Sequence, residues 1–132
     1  MVSENDLILD EGKLSGENGE IYLLQWLCSA EKALEKLSVV QDVVKSAQAS
    51  TESILLKCVA ATLPFPIPGR PIRALVARCF LVLYSRGETR TLYDTVQACL
   101  KIAGESKVLE RDTRVSALYC VGEIMATHGS QA

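Results

Sequence analysis

From Glu20 onward the apolar residues recur at three- and four-residue steps, the period of one helical face, and the strict alternation of a half-buried strand appears nowhere. Leu24, Leu27, Ala30, Leu34 and Leu37 define a first helix that runs to about Leu37. Ser38-Val39-Val40-Gln41 then has capping-box spacing, in which the serine hydroxyl accepts from the N3 amide while the glutamine reaches back to the cap amide. A second helix is expected to start there. Val40, Val43, Val44, Ala47, Thr51, Ile54, Leu55 and Cys58 keep one face along it. Hydroxyls between Gln48 and Ser53 compete for backbone hydrogen bonds, which leaves a break or second start at Ser50 open. Residues 63–71, LPFPIPGRP, cannot be helical, because alternate prolines lack amide donors and push their predecessors toward extended conformations. They form a stiff connection.

Pro71 suits the first position of a third helix, where a missing amide costs nothing, and Gly87 suits the left-handed position just past its end. Between Val76 and Tyr84 this helix is apolar around nearly its whole circumference, which calls for neighbours on more than one side. A fourth helix carries Leu92, Val96, Cys99, Leu100 and Ala103 on one stripe and stops at Gly104. A fifth starts near Asp112, a good N-cap, and runs to Thr127. Val115, Leu118, Val121 and Met125 are its expected core face, widened by Ala117, Cys120 and Ile124. Gly122 in its middle costs about 1 kcal/mol relative to Ala, and a close helix crossing would account for it.

The third and fifth helices look like copies. PIRALVARCFLVLYSRG laid over DTRVSALYCVGEIMATHG pairs Arg73 with Arg114 and Cys79 with Cys120 at an offset of 41 residues. Helical arrays of the HEAT and armadillo type repeat at about 40 to 47 residues, each unit a helix pair that buries its apolar face only against its neighbours. The expected fold is therefore all-α, an α-solenoid of about five helices. Its parts would be an acidic, mostly loose segment 1–19 with at most a short helical turn, a first hairpin 20–62, a Pro-rich connector 63–70, a second hairpin 71–104 and the first helix of a third unit, 111–128. A chain that stops after the first helix of a pair leaves an apolar face unpartnered, as expected of the N-terminal capping segment of a longer array.

Composition narrows the function classes. With 132 residues and 48% hydrophobic content the chain can bury a core. A net charge of −2 lacks the basic excess of a general nucleic-acid binder. Acidic residues gather early (Glu4, Asp6, Asp10, Glu11) and arginines in the middle (Arg70, Arg73, Arg78, Arg86, Arg90). The start MVSENDLILDEG has neither a basic leader nor a long apolar region, so residence in the cytosol is expected. The longest unbroken apolar run, Cys79 to Tyr84, is far short of the ~20 residues of a membrane span. Five cysteines, widely spaced and without a C-x-x-C, read as reduced thiols acting as small hydrophobes.

Reactive constellations are missing from the sequence. His128 is the only histidine, which excludes a histidine-based triad or multi-histidine metal site within the chain, and its expected role is to complement a helix C-terminus. Gly12, Gly16 and Gly19 neither follow a strand nor precede a Lys-Ser pair, so no phosphate cradle is present. Glu31 with Glu35, and Glu110 with Asp112, read as solvated surface rather than a carboxylate dyad. Cys28 beside Trp26 has no local histidine or helix N-terminus to activate it. The expectation is a non-enzymatic chain with no cofactor and no metal. Candidate partner-binding residues are Phe65 and Ile67 on the stiff connector, either as an exposed hydrophobic anchor or tucked under the helix ends, and Arg70, Arg73 and Arg78, which could read an acidic peptide or lipid headgroup. Against that reading, Arg73 and Arg114 occupy matching positions, as residues packed at a repeat junction would.

LYSRGET (Leu83 to Thr89), TRVSALYCVGEI (Thr113 to Ile124) and the early QWL (Gln25 to Leu27) carry a resemblance. Over about Leu7 to Gly129 the chain resembles the N-terminal region of the HEAT-repeat-containing protein 5 and fungal Laa-type family, less closely in the Pro-rich connector and from Gln41 to Ser53. The resemblance implies a scaffold that serves as an accessory factor of clathrin adaptor complex 1 in traffic between the trans-Golgi network and endosomes. It further implies peripheral recruitment to those membranes and to clathrin-coated vesicles, and smaller protein co-factors as partners. The alternative reading is a self-contained helical dimerisation or complex-assembly module, which keeps homo-oligomerisation open.

Overall fold

A computed structural model describes residues 8–35, 43–86, 89–105 and 111–128, which form six helices and no strand. They are α1 (Glu11–Leu14), α2 (Gly19–Leu34), α3 (Val43–Ala60), α4 (Arg70–Arg86), α5 (Leu92–Glu105) and α6 (Arg111–His128). The chain is all-α, as its periodicity requires.

Residues 8–19 are not loose. Asp10 caps α1 by accepting the Gly12 amide on Oδ1 at 3.0 Å, and its own amide donates to the Tyr22 hydroxyl at 3.0 Å. Leu14 is buried, the Ile8 carbonyl accepts from the Trp26 indole at 3.0 Å, and Glu11 pairs with Lys57 of α3 at 3.0 Å. A few aliphatic anchors suffice here because backbone polar groups next to them find partners on α2. The turn into α2 needs Gly19, since a Cβ there would lie 2.1 Å from the Leu14 carbonyl oxygen.

The long helices are organised around α4. Ile72, Val76, Ala77, Cys79, Phe80, Leu83 and Tyr84 are all buried, because α2, α3 and α6 pack on different sides of it. This is the arrangement its apolar circumference calls for. Leu23, Trp26, Leu27, Ala30 and Leu34 of α2 are buried where it packs on α4 and α1, and Arg78 reaches back to Glu31 at 3.1 Å. Helix α3 runs through Ser50 without a break and buries Gln48, Thr51, Leu55, Cys58 and Val59. The proposed cap at Ser38–Gln41 lies outside the described residues, as does Gly87. At its C-terminus α3 closes with Ala61 in the left-handed region (φ 53°), its amide bonded to the Cys58 carbonyl and that of Thr62 to the Lys57 carbonyl.

Two pairs of helices run in the same direction. Arg73 near the start of α4 lies over the Tyr119 ring of α6, while Tyr84 near the end of α4 meets His128 at the end of α6, so α4 and α6 are parallel. Helices α3 and α5 are parallel too, with Glu52 beside Thr91 and Thr95, and Ala60 beside Ile102. The closest approaches are α5 to α6, α2 to α4 and α4 to α6, with α3 resting on α4 and α5. Thus among the described residues α4 packs mainly on α2 and α6, and α5 on α6, with little contact of α2 on α3 or of α4 on α5, the pairs of the expected hairpins.

Two expected faces are turned. On α5, Leu92, Val96 and Cys99 are buried with Thr95, but Leu100 is 42% exposed. On α6 the buried stripe is Thr113, Ser116, Ala117, Cys120, Ile124 and His128. Leu118 is 49% and Met125 39% exposed, so two of the residues expected at the centre of its core face point away from α4. Small side chains let α6 approach its neighbours closely, and that approach decides the buried stripe. Gly122 is no crossing point among the described residues, because a Cβ added there meets nothing within 4 Å.

Candidate interaction surfaces

Cys58, Cys79, Cys99 and Cys120 are buried on four separate helices, and only Cys28 is exposed. Burial pushes the thiols of Cys58 and Cys99 from the ordinary 9.0 up to about 12. Cys79 and Cys120 are raised further, again chiefly by burial, and Glu31 adds to the effect on Cys79. A buried thiol that stays protonated is a packing group, not a nucleophile. Among the described residues no group of three His, Cys, Asp or Glu side chains could hold a metal ion, and no helix is long and apolar enough to cross a membrane. His128 lies in the last turn of α6, as expected, and is buried there, with Nε2 3.2 Å from the Leu81 carbonyl oxygen and its ring edge-on to Tyr84. It packs α6 onto α4.

The polar centre of the molecule was not visible in the sequence. Glu52 Oε2 accepts from the Tyr84 hydroxyl, from Thr91 Oγ1 at 2.6 Å and from Thr95 Oγ1 at 3.3 Å. One carboxylate thereby joins α3, α4 and α5 through hydrogen bonds to a charged acceptor, which are stronger than neutral ones. Burial, then the bond to Glu52, raises the Tyr84 hydroxyl far above its ordinary range.

Next to this centre a groove runs between α3 and α5. It consists of two adjoining hollows of about 350 and 340 Å³ that share Ser53 and Leu56. Leu56, Ala60, Ala98 and Ile102 floor one part, with Lys57 and Lys101 beside them, while Glu52 and Asp94 flank the other. The groove exists because the residues along the seam are small. Ala49, Ser53, Ala60 and Ala98 cannot fill the space between two parallel helices.

The residues singled out from sequence are dispersed. Phe65 is 2% exposed and belongs to the core, so it is not an exposed anchor; it tucks in where the connector turns back. Ile67 is 68% and Leu63 89% exposed on the same connector. Arg70 is exposed at the start of α4; Arg73 is half-buried with its guanidinium 6.0 Å from the Tyr119 ring centroid; Arg78 is held by Glu31. Phe65, Ile67 and the three arginines therefore do not converge on one site. The exposed side of α6 is a second surface, with Leu118, Tyr119 and Met125 around Gly122. No protein-family model matches the chain, and no solved structure matches it.

Proposed function

We propose that the chain is a non-enzymatic, HEAT-like scaffold segment whose stacked helices offer surfaces to other proteins. The observation that carries this reading is the parallel packing of α4 on α6 and of α3 on α5. In an up-and-down bundle neighbouring helices alternate in direction, whereas in a stack of helical units each helix lies parallel to its counterpart one unit on. Leu118 and Met125 stand exposed on α6, an apolar strip open to a partner. The buried, protonated thiols serve as packing groups, in keeping with a role based on shape.

The finer assignment rests on the resemblance carried by LYSRGET, TRVSALYCVGEI and QWL. On that basis the scaffold is an accessory factor of clathrin adaptor complex 1, acting in the cytosol and peripherally at the trans-Golgi network, endosomes and clathrin-coated vesicles. Immobilised chain should recover subunits of that complex, or its smaller co-factors, from cytosol. Recovery of none of them refutes this assignment. A second reading, an assembly module that dimerises through α6, is favoured by Leu118, Tyr119 and Met125 standing 49%, 38% and 39% exposed on one side of the helix. Sedimentation decides it: a species that stays monomeric as concentration rises excludes dimerisation through that face.

A further inference from the structure

We propose that the groove between α3 and α5 binds a short amphipathic helix of another protein, with an acidic residue at the Lys57–Lys101 end and a basic residue at the Asp94 end. The proposal deepens the scaffold reading, from which it takes only that the chain presents shape, and it does not depend on the adaptor assignment.

Three observations carry it. First, the two hollows are offset by about one turn, ~6 Å, along α3 and about two turns, ~10 Å, along α5. That offset suits two apolar anchors at i and i+4, or i and i+7, on one face of a docked helix. Second, the charges are segregated. Lys57 and Lys101 stand at one end, and Lys101 has no ion pair among the described residues. Asp94 stands exposed at the other end beside Glu52, whose carboxylate is held in place by three hydroxyls. A partner helix with the opposite charge order gains at both ends, and the reversed orientation is penalised at both. Third, the chain already seats an acid of this kind. Glu11, flanked by the half-buried Leu9 and buried Leu14, places its carboxylate on Lys57 Nζ at 3.0 Å. Both partners of that pair are more than 40% exposed, so a competing carboxylate displaces it at small cost.

The test uses the whole chain and a phage-displayed library of amphipathic helical peptides. Selected peptides should share two apolar anchors with an acid beside one and a base beside the other. They should shift the amide resonances of Leu56, Ala98 and Ile102. Lys101→Glu, which breaks no ion pair among the described residues, should weaken them about tenfold, and Lys57→Glu with Lys101→Glu more strongly. Glu11→Gln, which frees Lys57, should tighten them about two- to threefold. Three outcomes overturn the proposal: no peptide enriched above background, peptides that bind Lys101→Glu as tightly as the wild type, or resonance shifts gathered around Ile67 or around Leu118 and Met125. Failure here leaves adaptor recovery from cytosol unchanged, and failure of that recovery leaves peptide selection unchanged, so the two results are separable.

Discussion

Four buried thiols make the fold sensitive to alkali, and the size of the effect can be worked out. Cys58, Cys79, Cys99 and Cys120 each have no exposed surface, and burial raises every one of them above the ordinary 9.0, Cys58 and Cys99 to about 12. Above pH 9 the unfolded chain therefore releases protons that the native chain keeps. A group whose native pKa is raised gives its full stabilisation below the unfolded pKa and loses it as pH climbs toward the native value, so stability should be intact at neutral pH and fall from about pH 9 upward. One pH unit above its unfolded pKa each thiol contributes a loss of about 1.4 kcal/mol, and four together about 6 kcal/mol near pH 10. Tyr84, raised by burial and by Glu52, adds to the same trend from pH 10. Domains of this size are stable by about 5 to 15 kcal/mol, so the loss is a large fraction of the total.

The assay is urea unfolding at a series of pH values, followed by helical circular dichroism and by the fluorescence of the sole tryptophan, Trp26, which is buried beneath Ile8. Thiolate absorbance is recorded in parallel. Stability should fall with a slope approaching four protons, and thiolate should appear with unfolding, not before it. Replacing Cys58 and Cys120 by alanine should halve the thiol part of that slope whatever it does to the baseline. A midpoint that does not move between pH 8 and pH 10, or four thiols that ionise near 9 with the helices intact, would mean that these side chains sit in water and that the packing around α4 is wrong.

Gly122→Ala should stabilise the isolated chain by about 1 kcal/mol in urea unfolding, because the methyl group meets nothing within 4 Å and the glycine has no positive φ; destabilisation would mean that this face is covered. Tyr84→Phe removes one of three donors to Glu52 and should cost about 1.5 kcal/mol, a neutral result showing that the carboxylate prefers water. Phe65→Ala should cost about 3 kcal/mol in thermal or urea melts while Ile67→Ala stays within about 0.5, and equal costs would contradict the burial of one and the exposure of the other.

How far the sequence can be read depends on whether a property belongs to one helix or to the space between helices. Periodicity located every long helix, and the all-round apolar run from Val76 to Tyr84 identified α4 as the helix with neighbours on several sides. On α6, which carries two adjoining stripes, the same periodicity succeeded only in part: Ala117, Cys120 and Ile124, expected to widen the core face, are buried, and its expected centre is not. Leu118 and Met125 belong to the more hydrophobic one and are exposed; Thr113, Ala117, Cys120 and Ile124 belong to the smaller one and are buried. Transfer free energy ranks the first stripe higher, but the approach of α4 and α5 selects the second, and that approach has no signature in residues 111–128 alone. The docking of residues 8–19 escaped for a related reason. Its anchors are single contacts, Ile8 to Trp26 and Glu11 to Lys57, between residues far apart in sequence.

The groove follows from the same distinction, which is why no motif announces it. Ala49, Ser53 and Ala60 on α3 and Ala98 on α5 are unremarkable helix residues by propensity, and each one alone predicts only a tolerant surface position. They line an open groove when two parallel helices bring them to one seam, and Glu52 fixes that seam by holding hydroxyls from α4 and α5 on a single oxygen. Loss of that carboxylate would release the depth of the groove along with a few hydrogen bonds, whereas exchanging Lys101 alters only what the groove prefers. Stability and selectivity thus rest on different residues of one surface, and substitutions can change its partner while the helices stay where they are.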